Sequence, residues 1–314
     1  MKTNAIIRIV LFSLAILILG SILLGVIAFD SFMFSGDSVQ VNDEFVVTDG
    51  MQSRYAANAS DIQHLEIEWA AGNITILPDS NSDQILIRES EVSKEKYAMH
   101  ISQSGNKLKI EFNDEDGFYI GIGSNELDSK DLVISVPADW VCHSLEIEAA
   151  ATDVKVSGLT IREVDFDGAS GICNFSGCSI DKMEIDTASG DVDFSGTLET
   201  LDFDAMSARF TGSFQNTPNR IDVDSMSGDL ELTLPEDCGF TLNLDALSGN
   251  FQSDFITETY GSSHNHGDGR CKINVSAMSG DVNIHKHSHI HNDNCYAENS
   301  TCPDYGTHHD QDHH

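Results

Sequence analysis

Apolar and polar residues alternate on both sides of a small-residue turn in the segment 221–234, IDVDSMSGDLELTL. Before the turn, Ile221 and Val223 fall on one phase of the alternation, and Asp222 and Asp224 fall on the other. After the turn, three leucines alternate with Asp, Glu and Thr. A period of two places successive side chains on opposite faces of a strand, so the segment predicts two short β-strands, each with one apolar face. A unit of this size cannot bury that face alone.

The same strand–turn–strand unit recurs along the chain. The copies align on the acidic residue that precedes the turn, and the last copy has a serine at that position. The aligned residues are Glu148, Asp167, Asp186, Asp204, Asp224, Asp245 and Ser276, and Glu68 marks an earlier, separated copy. From Glu148 to Ser276, neighbouring positions differ by 19, 19, 18, 20, 21 and 31 residues. A period near twenty is typical of a solenoid, in which each repeat covers the exposed core of the next.

Most of these turns end in glycine, which suits a backbone position with positive φ, and an Asp or Asn often follows, which suits a tight turn. The turn glycines are Gly171, Gly190, Gly228, Gly249 and Gly280. We therefore predict an all-β protein in which residues 141–284 form a β-solenoid of roughly 20-residue rungs.

Residues 61–140 show the same alternation without the twenty-residue register. Segments such as HLEIEWAAGNITILP and DLVISVPAD predict about six strands, and SQSGNK predicts a hairpin turn. We expect this part to form a strand-rich amino-terminal cap on the solenoid, because an open end rung exposes an edge that can pair with other chains.

The stretch from Ile9 to Phe29 carries no charged residue; basic residues precede it and acidic residues follow it. As a helix it would span about 31 Å, enough to cross the hydrocarbon core of a bilayer with the amino terminus in the cytoplasm. We therefore expect residues 1–35 to contain a cytoplasmic stub and one transmembrane helix, followed by a linker at 36–60. The alternative is a cleaved signal peptide, since Val26 and Ala28 offer a small-residue cleavage site. Both interpretations export the rest of the chain.

The composition excludes one class of partner. The chain has 17 basic and 51 acidic residues and a formal net charge of −34, so a nucleic-acid partner is not expected. Most acidic residues fall on the polar phase of the predicted strands. They can serve solubility and protect strand edges from pairing, or they can attract calcium and other cations.

These repeats resemble a family of bacterial cell-envelope proteins built of β-strand repeats, which is named "putative adhesin" and whose function is otherwise undefined. The resemblance covers roughly residues 61–284. It rests on the serial SGD turns, on DLVISVPAD before the first rung and on the closing GDGRCKINVSAMSGDVNI. It implies an extracytoplasmic all-β scaffold that is tethered to the membrane or exposed at the surface, and it supplies no catalytic residues. Ala208 and Arg209 depart from the pattern, because Gly and Asp are expected there.

Histidines concentrate near the carboxyl end, where ten of the 13 lie at or after position 264. The run HKHSHIH places its histidines on alternate positions, which share one face if the last strand continues. Imidazoles about 7 Å apart could bind zinc, nickel or copper. We predict a divalent-metal region that joins the tail at 285–314 to the insertion before the last rung; a disordered polar tail is the alternative. The candidate ligands are His264, His266, His285, His287, His289, His291, Cys295 and Cys302.

The seven cysteines are compatible with an oxidising exterior. Cys238 and Cys271 precede the aligned positions of two rungs by similar distances, so a disulfide between them could clip the long insertion. Cys173 aligns with Val192 and is predicted to be a small core residue. No constellation that would activate a cysteine nucleophile is visible.

We expect a single-pass protein of the bacterial cell membrane whose exterior part is a non-enzymatic, adhesin-like interaction scaffold for an unknown protein or glycan, with no required cofactor. Metal binding or sensing through the histidine-rich end is the alternative. A carbohydrate-active solenoid enzyme is a second alternative. It would need two carboxylates in unlike surroundings, whereas these acids recur at equivalent positions.

Overall fold

A computed structural model of the chain describes residues 52–90, 98–113 and 129–287. Within those ranges no helix is long and apolar enough to cross a membrane, and the predicted anchor at residues 9–29 lies outside them. A short 3-10 helix, Ala59–Asp61, is followed by strands that join into one sheet. The strands are β1 Gln52–Asn58, β2 His64–Asp79, β3 Gln84–Ser90, β4 His100–Ser104, β5 Lys107–Glu111, β6 Leu132–Pro137, β7 Val141–Ser157, β8 Thr160–Ser170, β9 Ile172–Phe214, β10 Arg220–Ser227, β11 Leu230–Leu234, β12 Phe240–Ser248, β13 Phe251–Ser253, β14 Glu258–Tyr260, β15 Ser263–His266, β16 Cys271–Ser279 and β17 Val282–Lys286.

The predicted rungs are present and stack in parallel. Each rung has a front strand before the glycine turn and a rear strand after it; β10 and β11 are one such pair. In β10 the alternation predicted from sequence is visible as buried Ile221 and Val223 between more exposed aspartates. Long strands such as β7 and β9 run through a turn or several turns without a break in strand geometry. The β-solenoid prediction is therefore confirmed.

The copies lie in register on the residues used to align them. Glu68 pairs with Glu148, Glu148 pairs with Asp167, and Asp167 pairs with Asp186. Further along, Asp204 pairs with Asp224. The acid before the turn therefore occupies an equivalent position in successive front strands.

The turn glycines have positive φ, as predicted, and their lack of a side chain lets neighbouring rungs approach closely. Gly190 has φ 122°, and a Cβ built on it would lie 2.0 Å from the carbonyl oxygen of Gly171 in the next rung. Such a contact is impossible for a real side chain, so the turn requires glycine for space as well as for conformation.

The amino-terminal end is only partly the separate cap that residues 61–140 predicted. Strand β2 is itself a full rung in register with β7, and β5 and β6 form a further rung outside it, pairing with the front and rear halves of β2. The parallel stack therefore begins before residue 141. Antiparallel strands do close this end: β4 covers β5, and β3 covers β6. Strand β1 pairs with β3, so the fold extends into the segment 36–60 that was predicted to be a linker.

At the carboxyl end, the rungs do not stack in chain order as their spacing had suggested. The last front strand, β16, lies between β10 and β12, so that Ser276 faces Asp224 on one side and Asp245 on the other. The last rear strand, β17, lies between β11 and β13 in the same way. Because β16 and β17 lie between other strands, the final rung has hydrogen-bonded neighbours on both edges, which protects the end of the folded chain from fraying.

The interval of 31 residues before the last rung contains the hairpin that makes this order possible. After β13 the chain forms β14 and β15, and β15 pairs antiparallel with the outer edge of β12 before the chain returns as β16. The hairpin therefore caps the carboxyl-terminal end of the stack, covering an edge that would otherwise be open to pairing.

The inward side chains of front and rear strands form one continuous apolar core. Cys173 belongs to it, as predicted: it is buried beside Val154, and burial raises the pKa of its thiol. Large rings fill the middle of the stack, where the centroids of Phe203 and Phe210 are 5.4 Å apart. The polar phase of the front strands is consequently directed outward, where it forms the surface described next.

Candidate interaction surface

Two columns of carboxylates run along the front strands. The inner column consists of the acids used for alignment, next to the turn, and the outer column lies two residues earlier on the same strands. Register pairs Glu66 with Glu146, and Asp202 with Asp222, so the outer column is as regular as the inner one. The inner column contains Glu68, Glu148, Asp167, Asp186, Asp204 and Asp224; the outer column contains Glu66, Glu146, Asp165, Glu184, Asp202 and Asp222.

Lysines neutralise the amino-terminal end of both columns. Lys109 extends from β5 to Glu68, with a nitrogen–oxygen distance of 2.6 Å, and to Glu66 at 3.2 Å. Lys107 forms ion pairs with Glu66 and Glu146. Although burial alone would raise the pKa of Glu66, its two lysine partners lower it. The ion pairs raise the pKa of Lys109 despite its burial.

The middle of the acidic surface has fewer cations. Lys182 lies 2.9 Å from both Glu163 and Glu184, on the side of the outer column away from the turn. Arg220 forms an ion pair with Asp222. Lys182 and Arg220 are solvent-exposed, so water screens these pairs and they contribute little to stability.

Carboxyl groups of the inner column accordingly have strongly raised pKa values. Burial, followed by the neighbouring charge of Asp167, raises the pKa of Asp186 to about 6. Burial, followed by the charges of Asp186 and Asp224, raises the pKa of Asp204 to about 7. The Oδ1 atom of Asp204 is buried and accepts no hydrogen bond from the described residues. Burial and the close stacking of like charges both disfavour the ionised form of these carboxyl groups.

Amides end the outer column at the carboxyl-terminal end. The inserted strand β16 places Asn274 beside Asp222, and its side-chain nitrogen donates a hydrogen bond of 2.8 Å to the Asp222 carboxylate. Asn243 in the next strand donates to Asn274 at 2.9 Å. In the inner column, Ser276 separates Asp224 from Asp245. The uninterrupted acidic surface thus extends from the β2 rung to the β10 rung.

This arrangement does not favour acid–base catalysis. Neighbouring strands are about 4.8 Å apart, close to the carboxyl separation of about 5 Å in retaining glycosidases. Those enzymes, however, need one ionised nucleophile and one protonated acid in unlike surroundings. Asp186 and Asp204 occupy equivalent positions, and the pKa of each is raised by the same causes, burial and like charge. The columns are better suited to attracting cationic groups over an extended surface.

The structure describes four of the predicted metal ligands. His264 and His266 lie on β15. His285 lies on β17, and His287 directly follows that strand. As predicted, the insertion and the start of the tail meet at the same end of the stack, since Asp254 Oδ2 lies 3.2 Å from His285 Nδ1. The other candidates, His289, His291, Cys295 and Cys302, lie outside the described residues.

Each described histidine of the insertion has a local partner. His264 Nδ1 is 3.0 Å from Thr259 Oγ1, and its ring lies 4.5 Å from that of Phe251. His266 Nδ1 donates to the Ile256 carbonyl at 2.7 Å. Among the residues that the structure describes, no three His, Cys, Asp or Glu side chains form a group able to hold a metal ion. The metal region stays a prediction that depends on the rest of the tail.

The two cysteines of the predicted disulfide do come together. Cys238 precedes β12 and Cys271 begins β16; both are fully buried. Their side chains form a hydrogen bond, which lowers the pKa of the Cys238 thiol and raises that of the Cys271 thiol. The structure contains them as free thiols in contact. The disulfide stays a prediction.

Sequence reasoning missed the outer acidic column and the lysines that end it. The signal was present, since an acid stands two residues before the aligned acid in five of the six copies from Glu148 to Asp245: Glu146, Asp165, Glu184, Asp202 and Asp222. The contribution of Lys107 and Lys109 could not be predicted, because the β5 rung lies beside β2 only in three dimensions.

The chain is similar to one protein family and to several solved structures. Residues 62–159 and 140–285 match the Toastrack DUF4097 family. No curated protein sequence matches the chain. Similar solved structures include a "putative adhesin" from Bacteroides fragilis, with 13% identity, a TM-score of 0.42 and coverage of 74% of this chain and 97% of that one. A "putative cell adhesion protein" from Clostridium sporogenes has 11% identity, a TM-score of 0.38 and coverage of 75% and 99%. A "putative lipid binding protein" from Parabacteroides distasonis has 12% identity, a TM-score of 0.32 and coverage of 76% and 98%.

At these values nothing about function is transferred from the solved structures. The family match is different in kind, because its two segments together cover residues 62–285 of the 314-residue chain, which includes nearly all the strands described above. The chain belongs to the Toastrack DUF4097 family.

Proposed function

We propose that the protein is a membrane-anchored, extracytoplasmic interaction scaffold of the bacterial envelope that acts without catalysis, in the manner of an adhesin. The anchor is the uncharged segment 9–29, and the β-solenoid is the exported part. The observation that supports an interaction role is the pair of in-register carboxylate columns on one side of the stack. Burial in the core explains the apolar residues of the rungs, but folding does not require the twelve acids that stack on the outward face of the front strands.

Stacked acids oppose folding, since like charges about 4.8 Å apart repel unless they are solvated or neutralised. The raised pKa values of Asp186 and Asp204, caused first by burial and then by the neighbouring carboxylates, are consistent with such repulsion. A cationic partner that lies along the columns would relieve it, so binding of such a partner is favoured by the whole surface. A solenoid is well suited to this role because its stacked strands hold the charges at fixed spacing.

Site-specific photo-crosslinking in intact cells tests the proposal. A benzophenone amino acid replaces Asp202, which is exposed in the outer column, in full-length protein. The matched control replaces Glu231, whose side chain is 47% exposed on the rear strand β11. We expect covalent adducts of defined mass from position 202 and few from position 231. Adducts from neither position, or equally from both, would contradict the proposal.

The location is tested on the same cells. A protease added outside intact or wall-stripped cells should remove the solenoid and leave a membrane-embedded fragment that includes residues 9–29. A protein that is protected until the membrane is permeabilised would show that the solenoid is cytoplasmic.

A further inference from the structure

An apolar column runs beside the carboxyl-terminal part of the acidic columns. It lies two residues after the inner column on the same strands, so both occupy the outward side. Register places Met226 beside Met278, and Met278 beside Leu247, because their flanking residues pair across β10, β16 and β12. Met206 precedes Met226 in the same way across β9 and β10. We call Met206, Met226, Met278 and Leu247 the apolar ridge.

The ridge is open to solvent. Leu247 is 58% exposed and Met278 is 40% exposed, whereas Met206 and Met226 are half-buried. In the preceding rungs the equivalent positions hold Ala150, Ala169 and Ala188, so the ridge is confined to one end of the stack. Large apolar side chains at outward positions contribute little to the core, and methionine is common at binding surfaces because its unbranched side chain adapts to different partners.

The ridge and the acidic columns together define the chemistry of a partner. Outward positions on one strand are about 7 Å apart, so an apolar strip and an acidic strip run side by side along the solenoid axis. The ridge crosses three strand intervals, about 14 Å, which matches about ten residues of α-helix. A helix with leucine-type residues on one side and lysine or arginine on the adjacent side presents the complementary pair of strips.

The chain itself does not supply such a segment. Residues 288–314 and 114–128 contain no lysine or arginine, and residues 1–51 contain only Lys2 and Arg8. The seven residues 91–97 contain two lysines but also two glutamates, and they are too few for a helix of this length. The acidic tail would be repelled by the columns. The complementary charge must therefore come from another molecule.

We propose that the apolar ridge and the adjoining carboxylate columns form a docking surface for a cationic amphipathic helix of a partner protein. This inference rests on the proposed function and names the partner class of the same surface. The acidic columns orient the basic side of the helix, and the ridge buries its apolar side. The helix axis lies across the strands, parallel to the solenoid axis.

The test uses full-length protein in detergent and a fluorescent peptide of Leu and Lys, about 14 residues long and patterned to be amphipathic as a helix. A peptide of the same composition, scrambled to destroy the apolar face, is the control ligand. Anisotropy gives the dissociation constant for wild type and two test variants. One replaces Met278→Gln and Leu247→Gln on the ridge; the other replaces Asp204→Asn and Asp224→Asn in the inner column.

Matched control variants remove the same chemistry elsewhere. Ile172→Gln changes a side chain that is 51% exposed next to a turn glycine, away from the ridge. Asp193→Asn with Glu231→Gln removes two charges from the rear strands. We expect both test variants to bind the amphipathic peptide at least about tenfold more weakly, and both controls to bind within about twofold of wild type. The scrambled peptide should bind at least about tenfold more weakly than the amphipathic one.

A measurement on unaltered protein removes any dependence on how the variants fold. With ¹³C-methyl methionine labels, the signals of Met206, Met226 and Met278 should shift when the peptide is added, whereas the fully buried Met183 should not. Equal binding of both peptides, equal loss in test and control variants, or unshifted ridge signals would overturn the proposal. If the crosslinks from position 202 still form in cells, the scaffold function stands and only the helical partner is wrong.

Discussion

Replacing Gly190 by alanine should destabilise the solenoid far more than replacing a glycine that also has positive φ but faces open space. At Gly190 the backbone has φ 122°, and the new Cβ would lie 2.0 Å from the Gly171 carbonyl oxygen. At Gly177, φ is 63° and no atom lies within 4 Å of the position of a Cβ. The two substitutions are chemically identical, so their difference isolates the contact between rungs.

The cost at Gly190 has two parts. Backbone strain in a region reserved for glycine costs about 1–3 kcal/mol. Relief of the overlap requires the rungs to separate locally, which costs about 1 kcal/mol for each hydrogen bond that is lost. With strain of about 2–3 kcal/mol, from the upper part of that range, and one lost hydrogen bond, the sum is about 3–4 kcal/mol. Gly177→Ala should cost about 1 kcal/mol, because the strain of a left-handed conformation is partly offset by the reduced flexibility of the unfolded chain.

Scanning calorimetry of purified protein measures the difference. For a domain of this size, about 1 kcal/mol corresponds to about 2–4 °C in the midpoint. Gly190→Ala should therefore lower the midpoint by about 6–16 °C and Gly177→Ala by about 2–4 °C. Equal midpoints for the two variants would refute the close stacking of rungs at this turn.

Three further predictions concern the acids, the thiols and the tail. Folding raises the pKa of Asp204 to about 7, so the stability that the protonated carboxyl contributes is lost as pH rises from about 4 through 7. Asp204→Asn should leave the unfolding free energy unchanged at pH 4 and, after allowance for solvent screening, raise it by about 1–2 kcal/mol at pH 8. An equal effect at both pH values would contradict the electrostatic explanation. Protein isolated from the cell exterior and quenched with iodoacetamide should contain a Cys238–Cys271 disulfide, because the two thiols are in contact; alkylation of both cysteines in the mass spectrum would contradict it. Deleting residues 288–314 should weaken zinc binding at least about tenfold in a titration at neutral pH, and unchanged affinity would exclude His289, His291, Cys295 and Cys302 as ligands.

The repeat could be predicted from sequence because its signal is local. Alternation in segments such as 221–234 sets which side chains face the core, and the glycine after each turn marks a backbone position with positive φ. The same local signal identified Glu68 as a copy of the unit, and Cys173 as a core residue. The sequence alignment therefore matches the register of the strands, although it does not give the order in which Asp245 and Ser276 stack.

The order of the rungs could not be predicted, because it depends on which edges pair in three dimensions. Every front strand offers similar backbone groups and similar apolar residues to a neighbour, so β16 could pair with β12 alone or enter between β10 and β12. The long interval before Ser276 indicated extra structure but not a hairpin that covers the outer edge of β12. The ridge was missed for a related reason, since Met278 adjoins Met226 only because β16 enters between β10 and β12.

The position of the last rung can be measured with engineered cysteines. Ser279 lies beside Ser227 in the next front strand, with 3.5 Å between their hydroxyl oxygens, and beside Ser248 on its other side. Neighbouring strands are within the reach of a disulfide, whereas strands two apart, at about 9.6 Å, are beyond it. Mild oxidation followed by peptide mass mapping should cross-link Ser227→Cys with Ser279→Cys, and should not cross-link Ser227→Cys with Ser248→Cys. Cross-linking of the second pair and not the first would show that the rungs follow chain order, and would contradict the surface on which the proposed interaction depends.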